Sequence, residues 1–273
     1  MYNDSGNMNL TNKRILLTGA TGGIGEIIAQ KLAKKGAILA LVGRDALKLT
    51  ALQANIHAGG GKAVCIMADL SKEGAAQTIA SAAQLQLGQI DILINNAGVL
   101  DFIAFEDQSE ARIAQMIHTN VTALIQLTRA VIPTFQAKNA GHFVFVGSVF
   151  GSLGFPHFAT YCATKFAVHG FSQALRRELV DTNIGVTYIA PRGIKTPMND
   201  ANTVAMWDKT GNKMDEPETV ADIIVKAIEN EKQEVFIGQP QSFFAWLNGA
   251  APRLVNIGLK KQTALAAPFL NKK

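Results

Sequence analysis

Seven short apolar runs, separated by longer stretches with helical spacing, leave this chain few architectures to fold into. The runs are Arg14–Thr18, Ile38–Val42, Ala63–Met67, Ile90–Asn95, His142–Gly147, Gly185–Ala190 and Glu234–Ile237. Several are continuous Val/Ile/Leu sequences rather than alternating ones, as strands buried on both faces require. Between them, Ile24–Lys35, Ala46–His57 and Ala75–Leu87 repeat their apolar residues at helical intervals. This alternation predicts an α/β fold: a doubly wound parallel sheet with helices on both faces. There is no repeat, low-complexity linker or mid-chain change of composition. The predicted organisation is one domain over residues 11–238, a poorly ordered polar segment at 1–10 and an amphipathic helical tail at 239–273.

Composition narrows the class of partner. With 48% hydrophobic and 17% charged residues among 273, intrinsic disorder is excluded. The formal net charge is +5, but Arg253, Lys260, Lys261, Lys272 and Lys273 stand in a tail without one Asp or Glu. Without those five, 21 basic residues face 21 acidic ones, so the excess belongs to the tail alone. No basic surface interleaved with aromatics occurs within the predicted fold, which argues against nucleic acid. Two cysteines, Cys65 and Cys162, suit a reducing compartment rather than a disulfide framework. Met1–Leu10 is polar and no apolar run is long enough to span a bilayer, so a cytoplasmic protein is expected. The five His residues lack metal-ligand spacing, and no metal is expected.

In a doubly wound sheet, ligands bind beyond the carboxyl ends of the strands. Directly after the first run comes Thr18-Gly19-Ala20-Thr21-Gly22-Gly23-Ile24-Gly25, opening a helix. Glycines let backbone approach a pyrophosphate, and a helix N-terminus offers free N–H groups and a positive dipole end. An ordinary Gly-rich turn is the alternative; the strand–loop–helix context favours a Rossmann-like dinucleotide site. The second run ends Gly43-Arg44-Asp45. Gly43 stands where a carboxylate would bind the ribose 2′-OH of NAD, whereas Arg44 suits the 2′-phosphate of NADP. Asp45 can reach a 2′-OH or cap the helix that starts at Ala46. NADP(H) is favoured over NAD(H).

Tyr161-Cys162-Ala163-Thr164-Lys165 sets a phenol and an ammonium four residues apart, on one helix face. A fixed cation favours phenolate and should lower the Tyr161 pKa toward operating pH. Alone the pair is weak evidence, and Cys162 should point elsewhere and pack. Ser148 lies at the end of the His142–Gly147 run, and Asn95-Asn96-Ala97-Gly98 ends another. Singly, Ser148 could be a turn residue and Asn120 a helix cap.

Together these motifs resemble the short-chain dehydrogenase/reductase family in its compact form. The resemblance covers about residues 13–238 and rests on the Gly-rich loop, Asp69-Leu70, Asn95–Gly98, Asn120, Ser148, Tyr161 with Lys165, and Pro191 with Thr196. It implies that Tyr161 is the general acid/base protonating a carbonyl oxygen as hydride arrives from the nicotinamide. Lys165 would bind the nicotinamide ribose and depress the Tyr161 pKa; Ser148 would orient the substrate oxygen; Asn120 would hold a water linking Lys165 to solvent. It also implies cofactor contacts from Gly19, Thr21, Gly23, Ile24, Gly25, Arg44, Asp69, Leu70, Asn96, Ala97, Gly98, Pro191, Ile194 and Thr196, with Asp69 at the adenine amino group. The family commonly has Pro-Gly after the sixth strand; here the bulkier, charged Arg192 intervenes in Pro191-Arg192-Gly193.

Thr196 to Pro217 occupies the position of the family's substrate lid. Its Met198, Met206 and Trp207, with Phe150 and Phe155 between Ser148 and Tyr161, suit a hydrophobic carbonyl or alcohol, unless they are plain core residues. The expected function is an NADP(H)-dependent oxidoreductase acting on such a substrate; the alternative is a non-catalytic cofactor-binding regulatory or scaffold protein. A homodimer or homotetramer is implied. The tail, Phe243-Phe244-Ala245-Trp246-Leu247 and onward, suits a helix closing the pocket, a subunit interface or peripheral contact with a membrane.

Overall fold

The computed structural model describes residues 7–270. Its strands are β1 (Arg14–Thr18), β2 (Ile38–Gly43), β3 (Lys62–Met67), β4 (Ile92–Asn95), β5 (Gly141–Val146), β6 (Ile184–Pro191) and β7 (Glu234–Ile237). Its helices are α1 (Gly23–Lys34), α2 (Ala46–Ala58), α3 (Ala75–Leu87), α4 (Glu110–Ile117), α5 (Ala123–Ala137), α6 (Ala159–Glu178), α7 (Ala201–Lys209), α8 (Pro217–Glu229), α9 (Gln241–Ala250) and α10 (Pro252–Ala266). The strands form one parallel sheet in the order β3-β2-β1-β4-β5-β6-β7. The doubly wound α/β fold is therefore present, and its strand order reverses between β1 and β4.

Period-two alternation sorts the apolar strands onto both faces. Ile15, Leu17, Leu39, Leu41, Ile92 and Ile94 pack with α1, α2 and α8 on one face. Leu16, Ala40, Leu93, Phe143 and Phe145 pack with α3, α5 and α6 on the other. A strand buried on both sides has no polar face to spare, which is why its sequence reads as a continuous apolar run.

Three regions refine the expectations. Of the segment 1–10, residues 1–6 lie outside the described ones, but the rest is not loose: the Met8 N–H donates to Glu229 O at 2.6 Å and Leu10 is buried. The stretch 196–217, which carries no clear periodicity, folds α7 in its middle, capped by Asp200 accepting from the Thr203 N–H at 2.7 Å. Beyond β7 the tail forms α9 and α10. Ala245 and Val255 pack on Leu153, while Ala266 and Leu259 pack against the aromatic cluster of Phe150, Phe155 and Trp207.

His142 is the chief titratable burden on this core. Its ring is buried, it shares a hydrogen bond with Thr187 Oγ1 at 2.8 Å, and burial pushes its pKa down to about 4. The unfolded chain takes up that proton near 6.5, so the contribution of neutral His142 is intact above pH 6.5 and is lost as pH falls toward 4. Between pH 7.5 and 5, the unfolding free energy should fall about 2 kcal/mol further in the native protein than in His142→Gln, measured by urea titration. Equal losses would show that His142 does not set this dependence.

Candidate active site

The site is built where β1, β4 and β5 end. Gly19 follows β1 with φ +64°, and a Cβ there would stand 2.9 Å from Ala97 Cα. Gly25, one turn on, has no room either: a Cβ would lie 2.1 Å from Gly19 O. Only glycine permits this double close approach. No side chain caps α1, so its first N–H groups and positive dipole end serve the cleft lined by Gly19, Thr21, Gly23 and Ile24.

Asn96 ties this loop to β4. Its Nδ2 donates to Thr18 O (3.1 Å) and Gly19 O (3.2 Å). Thr18 Oγ1 accepts from the N–H groups of Asn96 (3.0 Å) and Ala97 (3.1 Å). Thr18 was absent from the sequence-predicted set; its only signal was its place beside the glycines.

At the end of β2, Arg44 is exposed and lines the same cleft. Asp45 Oδ1 accepts from the Lys48 N–H at 3.1 Å and caps α2, so of its two readings the structure displays the cap. Lys48, also missed, adds a second cation to the cleft wall. Opposite, Asp69 Oδ1 accepts from the Ser71 N–H at 2.9 Å. Burial raises the Asp69 pKa, but that bond and the Arg44 and Lys72 charges outweigh it, and the net shift is downward.

Two contiguous spaces run along these strand ends. One, of about 670 Å³, is walled by Arg44, Asp69, Leu70 and Ala97. The other, of about 490 Å³, reaches Ser148, Tyr161, Lys165, Pro191, Ile194 and Thr196, and both touch Gly19, Thr21 and Gly98. Gly25 alone of the predicted cofactor residues lines neither; it packs beneath the loop.

Ser148, Tyr161 and Lys165 meet in the second space. Ser148 follows β5, and Tyr188, packed where a Cβ on Gly147 would be 2.3 Å away, fixes it by donating from its hydroxyl to Ser148 O at 3.1 Å. Ser148 Oγ accepts from the Phe150 N–H (3.1 Å), and Ser148 and Tyr161 line the same cleft. On α6, one turn beyond Tyr161, Lys165 Nζ donates to Val146 O at 3.0 Å and lies 5.6 Å from the Tyr161 ring centroid. Loss of solvation pushes the Tyr161 phenol well above its ordinary range, with nearby Ser148 opposing the shift. The expected depression by Lys165 is therefore not what this geometry produces: the ammonium sits over the ring, and burial pushes its own pKa down to about 8. Cys162 points into the aromatic cluster, where burial raises its thiol to about 11.

Asn120 lies in a π-helical turn, His118–Thr122, between α4 and α5. Such turns insert one extra residue and recur where a helix must present a group off its regular track. Asn120 Nδ2 donates to Val99 O (2.8 Å) and Thr164 Oγ1 (3.1 Å), and its Oδ1 accepts from the Val99 N–H (2.8 Å). Both ends of the amide are engaged in holding Val99 and α6.

Of the predicted substrate residues, Phe150, Met198 and Trp207 line the cleft, and Phe155 lines an adjoining apolar cavity. Met206 does not: it is buried in the aromatic cluster, with Thr210 Oγ1 donating to its carbonyl at 2.8 Å. Arg192, the departure from the family pattern, forms a fork with Asp215 (Nε–Oδ2 2.9 Å, Nη2–Oδ1 2.5 Å). Its Nη1 donates to Gln239 O and Gln241 Oε1 at the base of the tail.

A Rossmann-like sheet carrying this cleft defines a dinucleotide-binding oxidoreductase, and comparison with known proteins specifies which. The short chain dehydrogenase profile matches residues 13–206. The ketoacyl reductase HetN of a Nostoc species is 33% identical over 230 residues, 84% of this chain and 80% of that protein. A short-chain dehydrogenase from Sphingobium yanoikuyae, solved with NADPH, superposes with a TM-score of 0.76 at 29% identity, covering 89% of this chain and 95% of that one. A Burkholderia phymatum member solved with NAD reaches a TM-score of 0.82 at 24% identity, over 90% and 96% of the two chains. The chain belongs to the short-chain dehydrogenase/reductase family, and it is an oxidoreductase that works with a nicotinamide cofactor.

Charged Lys165 is costly where it stands. Its folded pKa of about 8 lies below the ordinary 10.5, so the penalty is complete below pH 8 and is relieved as pH rises to 10.5. Lys165→Met, which leaves Val146 O without its partner, should still stabilise the protein by about 2 kcal/mol at pH 7. That gain should disappear by pH 10.5 in denaturant titrations; a variant less stable at pH 7 would contradict the assignment.

Proposed function

We propose that this chain interconverts a hydrophobic ketone or aldehyde with its alcohol, using NADP(H), with Tyr161 as the general acid/base. The observation that carries this reading is the convergence of Ser148, Tyr161 and Lys165 beyond the end of β5, in a cleft continuous with the Gly-rich loop. A dinucleotide fits the residues present: Gly19, Thr21 and Gly22 line both spaces beside the uncapped N-terminus of α1, whose free N–H groups suit a pyrophosphate. The bound cofactor would supply or accept the hydride.

The chain's own groups would do the rest. The Ser148 hydroxyl would hold the carbonyl oxygen beside Tyr161. Burial keeps Tyr161 protonated at neutral pH, so it would enter a reduction as the proton donor. Lys165, one turn away, would hold a positive charge against the phenolate as the proton leaves. Asn120 would keep α6 and the backbone at Val99 in register with them.

Arg44 and Lys48 beside the first space favour a 2′-phosphate, and the engagement of Asp45 as a helix cap removes the nearest competing carboxylate. A non-catalytic scaffold would have no use for a buried lysine that costs stability next to an aligned serine and tyrosine. That argues for turnover.

Tyr161→Phe should reduce turnover by about 10³-fold while changing NADPH affinity less than threefold, read from nicotinamide absorbance and fluorescence. Retained turnover would refute Tyr161 as the acid. Arg44→Ser should lower kcat/KM with NADPH more than tenfold and leave NADH unchanged; loss with both cofactors would remove Arg44 as the phosphate-recognising residue. In a carbonyl panel, long-chain or polycyclic substrates should outperform small polar ketones.

A further inference from the structure

The helices of the tail have two apolar faces, and the fold uses only one. Ala245, Val255 and Ala266 are buried against the body. On the other side Phe243, Phe244, Trp246, Leu254 and Ile257 are exposed, from 42% for Phe244 to 73% for Ile257. The aromatics group together: the Phe243 ring lies 5.8 Å from Phe244 and 5.9 Å from Trp246, centroid to centroid. Along α10, Leu254 and Ile257 share a helix face with exposed Arg253, Lys260 and Lys261. A clustered apolar patch of this kind marks a docking surface rather than scattered exposure.

Charge decides the occupant. A symmetric contact with a second copy would bring the same patch against itself, setting cations against cations with no acid in residues 239–273 to answer them. An anionic lipid surface answers both features, taking Trp and Phe at headgroup depth and pairing Lys and Arg with the phosphates. Among the described residues no helix is long and apolar enough to cross a bilayer, so such an element lies on the surface.

The same patch is the rim of a cavity. Phe244 and Leu254 line an apolar space of about 170 Å³ whose floor is Leu153, Phe155 and Trp207. Phe150 and Trp207 also line the cleft of Ser148 and Tyr161, so the two spaces adjoin through them. Arg192, bonded to Asp215 and to Gln239 and Gln241, holds the base of the tail at that junction.

We propose that α9 and α10 form an interfacial element that seats on an anionic bilayer and opens this cavity to the lipid, from which the hydrocarbon part of the substrate enters. The second half rests on the hydrophobic-carbonyl reading above; the first does not.

The test is co-sedimentation of the full chain with phosphatidylcholine vesicles and with vesicles containing 30% phosphatidylglycerol. Trp246 emission is a second readout, because the other tryptophan, Trp207, is buried. Docking predicts partitioning onto the anionic vesicles with a blue shift, weakened more than tenfold by 0.5 M salt. Trp246→Ser with Ile257→Ser should lower it more than tenfold, as should joint replacement of Arg253, Lys260 and Lys261 by Gln, with turnover of a short soluble ketone unchanged. Equal partitioning of native protein and variants overturns the proposal. So does a blue shift that follows protein concentration without vesicles, which would assign the patch to a second copy. For the cavity, Leu254→Trp at the exposed rim should cut kcat/KM for a long-chain carbonyl more than tenfold and spare the short ketone; equal effects overturn the entry route. Absence of turnover with every carbonyl would instead defeat the functional reading, while the vesicle result still decides docking.

Discussion

The close passage of the Gly-rich loop over the end of β4 is the constraint on which the rest of the site depends. Gly19 passes so near Ala97 that no side chain fits between them, and Asn96 clamps the loop by its two carbonyls. This seals the switch point of the sheet from behind and leaves the cleft open in front. The N-terminus of α1, the ends of β4 and β5 and the start of α6 thereby acquire fixed relative positions. The cleft along that line runs on to Tyr161 and Lys165 because the loop and β4 have already been joined.

The price of that precision falls on α6. Lys165 is buried with one backbone carbonyl as its partner, and Tyr161 is half-buried beside the aromatic cluster. Each group is pushed away from its charged form, so the cleft resists the ionisation of both. Such strain is tolerable because the surrounding sheet buries apolar residues on both faces. It also explains the π-helical turn at Asn120. That turn sends an amide toward Thr164 and Val99, which locks α6 against the loop after β4 in the place where the helix carries its costliest residues.

What was legible in the sequence was local. A strand covered on both sides must be a continuous apolar run, so all seven strands could be placed within a residue or two; glycine spacing and Tyr161 with Lys165 each lie within one loop or one turn. What was hidden depends on partners far along the chain. Met206 lies on α7, but which way it faces is settled by Phe150, Phe155 and Trp207. The sign of the Tyr161 shift could not be read from its spacing to Lys165, because burial outweighs the pair. Met8 and Leu10 look like a polar leader until Glu229, more than two hundred residues on, supplies an acceptor. Lys48 carries no motif and reaches the cleft only because Asp45 starts α2 where it does.

Arg192 shows how a departure from a family pattern can be structural rather than disruptive. A glycine in its place would let the backbone turn after β6 but would bond to nothing. The arginine keeps the turn, since Gly193 follows it, and spends its guanidinium on Asp215 from the lid and on Gln239 and Gln241 from the tail. Gly238 is the matching concession: its φ of +93° and a Cβ position 2.4 Å from Arg192 Cδ leave room for no other residue. The segment before α8, the tail and the sheet end are thus held by one side chain, which itself lines the cleft of Ser148 and Tyr161. The tail also bonds the body directly, Asn248 Nδ2 donating to Ser152 O (3.0 Å), while the Asp215 N–H donates to Gly193 O (2.8 Å) on the cleft wall. The tail is for that reason fastened to the wall of the cleft rather than loosely appended to it.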